Sequence, residues 1–367
     1  MKVVVIGAGI VGVAVADALA LRGARVTVFE MRSPGRGASQ ASAGMLAPYT
    51  EAHDHPELLS LGVRSLALFD DLIAGLQADT GQQIEYSRRG SLEVSFDDEG
   101  AGRLRDLARH LEAGGTSCQF LDGQEVAQME PTVARAARHG LLIPSHGLVG
   151  VDSLLRAFVH RATFGGVIFE SPVEALAVEQ RADQVEVRIG DRVEYADAVV
   201  VAAGSWSRRV RVANVAALPI RPVRGQLLHL DWRASHRPSR IVWGPGCYTV
   251  PWSDNSLLVG ATVEEAGFEE ATTVAGVHAL THRVLELLPD AATASIEAVR
   301  VGLRPATMDG LPAIGPLARA PRVVVATGHY RNGVLLSPLT AQLVARCILD
   351  HEEDDAFAVT TPNRLIP

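Results

Sequence analysis

The first thirty residues constrain the fold more tightly than any other part of the chain. An apolar run at residues 3–6, typical of a strand buried on both faces, leads into glycines at the spacing GxGxxG: Gly7, Gly9 and Gly12. A helix over residues 10–21 and a second strand over residues 25–29 are predicted to follow. In such a unit the first glycine permits the turn, the second lets the backbone approach a pyrophosphate, and the third lets the helix pack on the strand. We therefore predict a Rossmann-type unit of the α/β class.

Glu30 ends the second predicted strand, 23 positions after Gly7. A carboxylate here can accept hydrogen bonds from both ribose hydroxyls of a nucleotide, and it disfavours a 2′-phosphate. The helix N-terminus would face the phosphates with free N–H groups and a partial positive charge. Together these features predict nucleotide binding. The alternative is a glycine-rich turn in an unrelated α/β protein.

The loop after Glu30 distinguishes between FAD and NAD. It is small, polar and rich in glycine, and it ends in the apolar pair Met45-Leu46. Backbone N–H groups at Ser39, Ser42 and the residues up to Met45 could surround a second part of a cofactor with little steric bulk. We therefore favour a flavin over a nicotinamide cofactor, with a flexible surface loop as the alternative.

Later segments predict a discontinuous cofactor domain. Apolar spacing predicts one helix over residues 58–77, and a buried strand over residues 198–202 would bring Ala203 and Gly204 near the dinucleotide. A last buried strand at residues 323–327 leads into a helix that begins at Gly333, whose N-terminus can face the pyrimidine edge of a reduced flavin.

Residues 218–263 change to alternating strands separated by turns, which predicts an antiparallel sheet. The predicted fold is thus α/β (α+β), a Rossmann-type FAD-binding domain with an antiparallel-sheet substrate domain. The predicted division assigns residues 1–80, 141–217 and 300–367 to the cofactor and residues 81–140 and 218–299 to the substrate.

Composition excludes several functions. The net charge of −8 argues against nucleic-acid and anionic-membrane partners, and the three cysteines lack the spacing of a zinc site or a disulfide framework, so no metal is predicted. Lys2 is the only lysine, which excludes Schiff-base chemistry at an interior lysine. The apolar N-terminus is interrupted by glycines, unlike a secretory signal, and no run reaches the roughly 20 apolar residues of a membrane helix. We expect a cytoplasmic protein.

Arg304 lies in the apolar stretch "GLRPATMDGLPAIGP" between Leu303 and Pro305. A guanidinium buried there without a partner would cost several kcal/mol. Its partner could be a protein carboxylate, Asp309 or Glu297, or the carboxylate of a substrate.

These motifs together resemble the D-amino acid oxidase family of FAD-dependent amine oxidoreductases, and most closely its glycine oxidases of thiamine biosynthesis. The resemblance covers essentially the whole chain through "VVVIGAGIVG", "GASQASAGMLAP", "VVVAAGSWS", "RPVRGQ", "GLRPATMDGLPAIG" and "GHYRNGVLLSP". It implies that Arg304 binds the substrate carboxylate, that Tyr248 lines the pocket and that Arg331 lies nearby. The alternatives are a core role for Tyr248 and an ion pair between Arg331 and the C-terminal segment.

The resemblance and the motifs together assign a set of residues to the cofactor. These are Gly7, Gly9, Ile10, Val11, Gly12, Glu30, Met31, Ser39, Ser42, Ala43, Gly44, Met45, Val173, Ala203, Gly204, Trp206, Arg304, His329, Tyr330, Arg331, Asn332, Gly333, Val334 and Leu335. Related sarcosine oxidases carry FAD on a cysteine and use a lysine above the ring. No cysteine lies near "GLRPATMDG" and no lysine exists beyond Lys2, so the FAD is expected to be non-covalent.

The implied reaction is hydride transfer from a small amine or D-amino acid to flavin N5, with oxygen regenerating the flavin and yielding hydrogen peroxide. Glycine would give glyoxylate and ammonia. No side-chain base is required for a neutral amine, and His329 and His229 are candidates by residue type only. "PYTEA" and Val263 depart from the glycine oxidase pattern near the expected pocket, so the preferred amine stays open. Relatives suggest a homo-oligomer, a homotetramer. Two alternatives are a D-amino acid dehydrogenase that passes electrons to a quinone or carrier, and a flavin-binding subunit of a heteromeric oxidase.

Overall fold

Strands and helices alternate along the chain, which a computed structural model describes over residues 1–52 and 54–366. In chain order the strands of these residues are β1 (Lys2–Ile6), β2 (Arg25–Phe29), β3 (Met45–Leu46), β4 (Tyr86–Ser87), β5 (Ser91–Ser95), β6 (Gln119–Asp122), β7 (His139–Ile143), β8 (Gly147–Val149), β9 (Ile168–Glu170), β10 (Ala177–Gln180), β11 (Val185–Ile189), β12 (Arg192–Ala196), β13 (Ala198–Val201), β14 (Arg211–Val212), β15 (Arg221–Asp231), β16 (Ile241–Gly244), β17 (Cys247–Pro251), β18 (Ser256–Gly260), β19 (Ser295–Ala306), β20 (Ala313–Leu317) and β21 (Ala320–Thr327).

The helices of the same residues differ widely in length. They are α1 (Ile10–Leu21), α2 (Pro48–Glu51), α3 (Pro56–Leu66), α4 (Phe69–Thr80), α5 (Asp98–Ala113), α6 (Gly123–Met129), α7 (Val151–Phe164), α8 (Val274–Leu287), α9 (Gly333–Leu349) and α10 (Ala356–Thr360). Among the described helices, none is both long and apolar enough to cross a membrane.

A six-stranded sheet carries the GxGxxG turn. Its strand order is β20-β21-β13-β1-β2-β9, parallel except for β20 at one edge. Helices α1, α7 and α9 bury apolar side chains against one face, and a smaller sheet, β12-β11-β10-β14, takes part in the core on the other face. The predicted bounds of α1 and β2 are confirmed, because the glycine spacing and the local apolar pattern both determine this unit.

An eight-stranded sheet forms a second layer, in the order β19-β15-β18-β17-β16-β5-β7-β6. Its pairings are antiparallel except for β16 with β5, so the antiparallel sheet predicted for residues 218–263 is confirmed. The long pair β15 and β19 spans Arg221 to Asp231. The predicted domain boundary at residue 300 falls inside β19, and the division into two domains stays a prediction.

The single helix predicted over residues 58–77 is wrong. The segment forms two helices, α3 and α4, separated at Ala67 and Leu68. The physical reason is packing: α3 lies against α9, where the Ser65 hydroxyl donates to the Leu335 carbonyl at 2.6 Å, whereas α4 packs against α7. One straight helix could not bury its apolar stripe against both partners.

Candidate active site

A cavity of about 1530 Å³, counting the space at its mouth, runs from the turn between β1 and α1 to strands β17 and β19. The six-stranded sheet contributes the strand ends at one end of the cavity, and the eight-stranded sheet contributes Tyr248 and Arg304 at the other. The cavity therefore joins the predicted dinucleotide site to the predicted substrate site.

The glycines of the first turn allow close packing. Gly7 has φ +106°, and a Cβ there would lie 2.6 Å from the Ala202 carbonyl oxygen. A Cβ on Gly12 would clash with the carbonyl oxygen of Gly7, so Gly12 brings α1 against the turn but does not line the cavity. Gly9 does line the cavity, and a Cβ there would meet only the Ser39 hydroxyl, at 3.5 Å.

Glu30 is fixed at the end of β2 by two backbone donors. Its Oε2 accepts from the N–H of Ala8 at 2.7 Å, and its Oε1 accepts from the N–H of Arg32 at 2.8 Å. The Ile10 N–H at the start of α1 donates to the Ser39 hydroxyl at 3.0 Å. The carboxylate keeps further lone pairs for hydroxyl donors, as a ribose-binding group requires.

The loop after Glu30 is folded against the protein. Met45 and Leu46 form β3, which pairs with β8, and a Cβ at Gly44 would clash with the Val149 carbonyl. Ser42 and Ala43 line the cavity beside them. The end of the loop is therefore packed against β8 and lines the cavity, as the flavin interpretation predicts.

Arg304 points its guanidinium into the cavity from β19. Its Nη1 donates to the carbonyl oxygens of Thr262 at 2.9 Å and Arg224 at 3.4 Å. Within residues 1–52 and 54–366 it forms no salt bridge. Burial lowers the pKa of Arg304, and the nearby charge of Arg331 lowers it further. The site thus holds a cation whose charge is not balanced by a carboxylate of the described chain.

Both protein carboxylates considered as partners of Arg304 lie elsewhere. Asp309 accepts from Arg364 Nε at 2.7 Å, and Glu297 lies 3.7 Å from His229. The hypothesis of an ion pair between Arg304 and either residue is therefore wrong. The sequence alone could not distinguish a protein carboxylate from a substrate carboxylate as the partner of Arg304, because the residue that pairs with Asp309, Arg364, lies far along the chain.

Arg331 has a protein partner that the sequence did not reveal. Glu51, at the end of α2, accepts from Arg331 Nε at 2.8 Å and from its Nη2 at 3.0 Å. Burial lowers the pKa of Arg331, but the charge and hydrogen bond of Glu51 outweigh burial, so the net pKa is raised. The alternative pairing with the C-terminal segment is wrong. The only available signal was a lone acidic residue in the divergent segment "PYTEA".

Tyr248 lines the cavity from β17. Its ring packs 5.0 Å from that of Trp243, and the structure gives its hydroxyl no hydrogen bond within the described residues. Gly260 makes room for the phenol, because a Cβ there would clash with it. Burial raises the pKa of Tyr248 to about 12, against the opposing effect of Arg331 and Arg304, so the phenol stays protonated at neutral pH.

Of the two candidate histidines, one lines the cavity and the other does not. His329 lines the cavity, and its Nε2 lies 3.0 Å from the Thr340 hydroxyl. Burial lowers the pKa of His329 to about 4, so it is neutral at physiological pH. His229 lies beside Glu297 and does not line the cavity. Val263 does not line it either and is exposed.

Most residues predicted for the cofactor lie around this one cavity. Besides those described above, its lining includes Val11, Met31, Val173, Ala203, Gly204, Trp206, Tyr330, Asn332, Gly333 and Val334. Gly12 and Leu335 are absent from the lining, because Gly12 faces the Gly7 carbonyl and Leu335 is buried in the core of α9. Sequence reasoning did not assign four charged residues of the lining to the site: Arg32, Glu51, Glu174 and Arg209.

The family pattern described as "DAO: FAD dependent oxidoreductase" matches residues 2–347. This chain belongs to that family. The glycine oxidase of Geobacillus kaustophilus is 34% identical over 94% of this chain and 91% of its own length. Its crystal structure superposes with a TM-score of 0.94 at 33% identity, covering 100% of both chains. The bifunctional protein ThiO/ThiG of Synechocystis is 32% identical over 99% of this chain, which spans 54% of that protein.

The residues present fit the FAD of the DAO family. The cavity begins at a turn where Gly9 leaves space beside the α1 N-terminus, and the Glu30 carboxylate can accept hydrogen bonds from ribose hydroxyls. The cavity then continues past Gly44 and the start of α9, as a two-part cofactor requires. The predictions of the family, the fold class and the cofactor are confirmed.

Proposed function

We propose that the chain is an oxidase that deaminates glycine and other small amines or D-amino acids. Glycine, oxygen and water would give glyoxylate, ammonia and hydrogen peroxide. Its resemblance over nearly the full length to glycine oxidases supports this reaction. The observation that carries the proposal is Arg304, a cation in the cavity that forms no ion pair with a carboxylate of residues 1–52 and 54–366.

Arg304 would bind and orient the substrate carboxylate. Its Nη1 is held by the carbonyls of Thr262 and Arg224, which fixes the plane of the guanidinium while other N–H groups remain for a ligand. A planar donor pair fixes the direction of a carboxylate as well as balancing its charge. The guanidinium of Arg304 would thus act as a carboxylate clamp. The substrate would enter the cavity in one orientation, and the clamp would fix the position of its α-carbon.

Tyr248 would contribute to the same site as a neutral donor. Because its pKa lies near 12, the hydroxyl keeps its proton and can donate to a carboxylate oxygen. His329 is neutral and bonded to Thr340, so we assign it a role in shaping the cavity. FAD, when bound, would supply the ring that accepts one hydride, and with it two electrons, from the substrate; the same two electrons would then reduce oxygen to hydrogen peroxide.

The FAD would be held without a covalent bond. None of Cys118, Cys247 and Cys347 lines the cavity. We also propose that the protein works in the cytoplasm as a homo-oligomer, that it has the two domains predicted above, and that it serves thiamine biosynthesis. The family resemblance supports these four proposals, and sizing by light scattering tests the oligomer.

Anaerobic mixing of the yellow holoenzyme with glycine tests the reaction. We expect the visible flavin band to bleach, and to return with formation of hydrogen peroxide when air is admitted. The Arg304→Ala variant should need far more glycine. Arg300→Ala is the matched control, since Arg300 lies on the same strand but outside the cavity, near Asp152.

Other results would redirect the assignment. Bleaching by D-alanine or D-proline but not by glycine would keep the oxidase and change its substrate. Bleaching without reoxidation by air would favour a dehydrogenase that uses a quinone or carrier. A flavin that no small amine reduces would favour a flavin-binding subunit of a heteromeric oxidase.

A further inference from the structure

Glu51 places a negative charge inside a cavity expected to receive a carboxylate. We propose that Glu51 restricts the site to amines with a single carboxylate, by occupying Arg331 so that Arg304 is the one cation left for the substrate. This inference rests on the proposed function and adds the substrate class to it.

The ion pair satisfies both partners. Both carboxylate oxygens of Glu51 accept from Arg331, at 2.8 and 3.0 Å, and the side chain of Glu51 is only 9% exposed. Such a two-point pair is strong and directional because it joins planar groups. A second substrate carboxylate would have to displace Glu51 from Arg331 and then share the site with it.

The charges at the substrate end give the same conclusion. Among the described residues that line this end, the charged groups are Arg304, Arg331 and Glu51, with a net charge of +1. One carboxylate balances this charge. A second would be buried without a counter-ion, which is strongly unfavourable in a poorly hydrated cavity.

The segment that carries Glu51 is itself held in place. The Tyr49 N–H donates to Nε2 of the buried His146 at 3.3 Å, and the two rings stack 5.6 Å apart. A Cβ at Gly62 would lie 2.8 Å from Cβ of Pro48, so α2 packs closely on α3. Glu51 therefore reaches Arg331 from a supported helix, and its position is part of the fold.

Acetate and malonate are the probes, because they differ in having one and two carboxylates and neither can be oxidised as an amine. Their binding to oxidised holoenzyme is followed through the flavin absorbance. For wild-type protein we expect malonate to bind no more tightly than acetate. In Glu51→Gln the ratio of malonate to acetate affinity should rise on the order of tenfold or more, as expected for a new charge-assisted pair.

The double variant Glu51→Gln/Arg331→Met should lose that gain, because the released cation is gone. Glu57→Gln is the matched control: Glu57 lies on the neighbouring α3, is exposed and does not line the cavity. Turnover provides a second readout. The ratio of kcat/KM for D-aspartate to kcat/KM for D-alanine should rise in Glu51→Gln and should not rise in the double variant or in Glu57→Gln.

Three results would overturn the inference: an unchanged malonate-to-acetate ratio in Glu51→Gln, a gain that survives the loss of Arg331, or wild-type protein that binds malonate more tightly than acetate. The last needs no variant, so it decides even if Glu51→Gln fails to fold. Binding needs no turnover, so a wild-type enzyme inactive with glycine would contradict the proposed function and leave this test intact.

Discussion

Gly225 lies directly beneath the guanidinium group of Arg304, and a Cβ at this position would clash with both Nη atoms. The two residues lie on paired strands, where Gly225 faces Gly302 and Arg304 faces Val223. The absence of a side chain at Gly225 is what lets the guanidinium lie flat over β15. A residue that never touches substrate therefore sets the position of the group proposed to bind it.

Gly225→Ala should displace the guanidinium without unfolding the protein, because the clashing atoms are the far end of a flexible side chain. Losing an oriented, charge-assisted contact costs about 1.5–3 kcal/mol, so KM for glycine should rise roughly 10- to 100-fold. Steady-state kinetics measure this. Gly102→Ala on α5, where a Cβ meets nothing within 4 Å, should leave KM unchanged. An unaltered KM in Gly225→Ala would show that the clamp tolerates displacement.

Arg304→Met should show that the buried guanidinium of the clamp lowers the stability of the ligand-free protein. Without ligand, the guanidinium has two carbonyl acceptors and no carboxylate within the described chain, and burial disfavours its charge. An apolar replacement of similar length is therefore expected to keep or raise Tm. Saturating acetate should raise Tm of the wild type by a few degrees and leave the variant unmoved, as thermal melts would show. A variant with a lower Tm that acetate still stabilises would contradict the assignment.

Glu30→Gln should weaken cofactor binding. The amide keeps one acceptor oxygen but turns an NH2 group towards one of the two backbone N–H donors, of Ala8 or Arg32. We expect Kd for FAD to rise about tenfold, in line with the loss of one charge-assisted hydrogen bond. Titration of apoprotein with FAD, followed by quenching of flavin fluorescence, measures it. Glu170→Gln, at the end of the neighbouring β9, should match the wild type.

The dinucleotide unit could be predicted because its determinants are local. Glycine spacing, one apolar run and one acidic residue lie within thirty positions, and each acts on its sequence neighbours. The loop carrying Ser42 and Gly44 was recognised for the same reason, since its composition leaves room for a ligand. Its contact with β8, a strand more than a hundred residues later, was not visible.

The substrate end could be predicted only in part, because its interactions join distant segments. Arg304 was found as a cation in an apolar stretch, but its acceptors lie 42 and 80 positions away. The ion pair of Glu51 and Arg331 spans 280 positions. No periodicity or composition encodes such a pair. The break between α3 and α4 was missed for a related reason, since two different packing partners decided it.

Stability towards acid provides the last prediction, through the buried His146. Its Nε2 accepts from the Tyr49 N–H, so Nδ1 carries the proton and donates to the Ser91 hydroxyl at 2.7 Å. Burial lowers the pKa of His146 to about 3, whereas the unfolded value is 6.5. Between these values the unfolded state binds more protons, so the contribution is fully present above pH 6.5 and is lost as pH falls towards 3.

One such group contributes a slope of about 1.4 kcal/mol per pH unit to the free energy of unfolding. Urea unfolding of His146→Gln at pH 7, 6 and 5 should therefore show a shallower acid loss than the wild type, by roughly that amount per unit below pH 6. His110→Gln is the control, because His110 is exposed on α5 and should leave the slope as it is. His329, with a pKa of about 4, is present in both His146→Gln and His110→Gln, so its own contribution to the pH dependence of the free energy of unfolding remains in each. Parallel curves for wild type and His146→Gln would mean that His146 takes up its proton in the folded state.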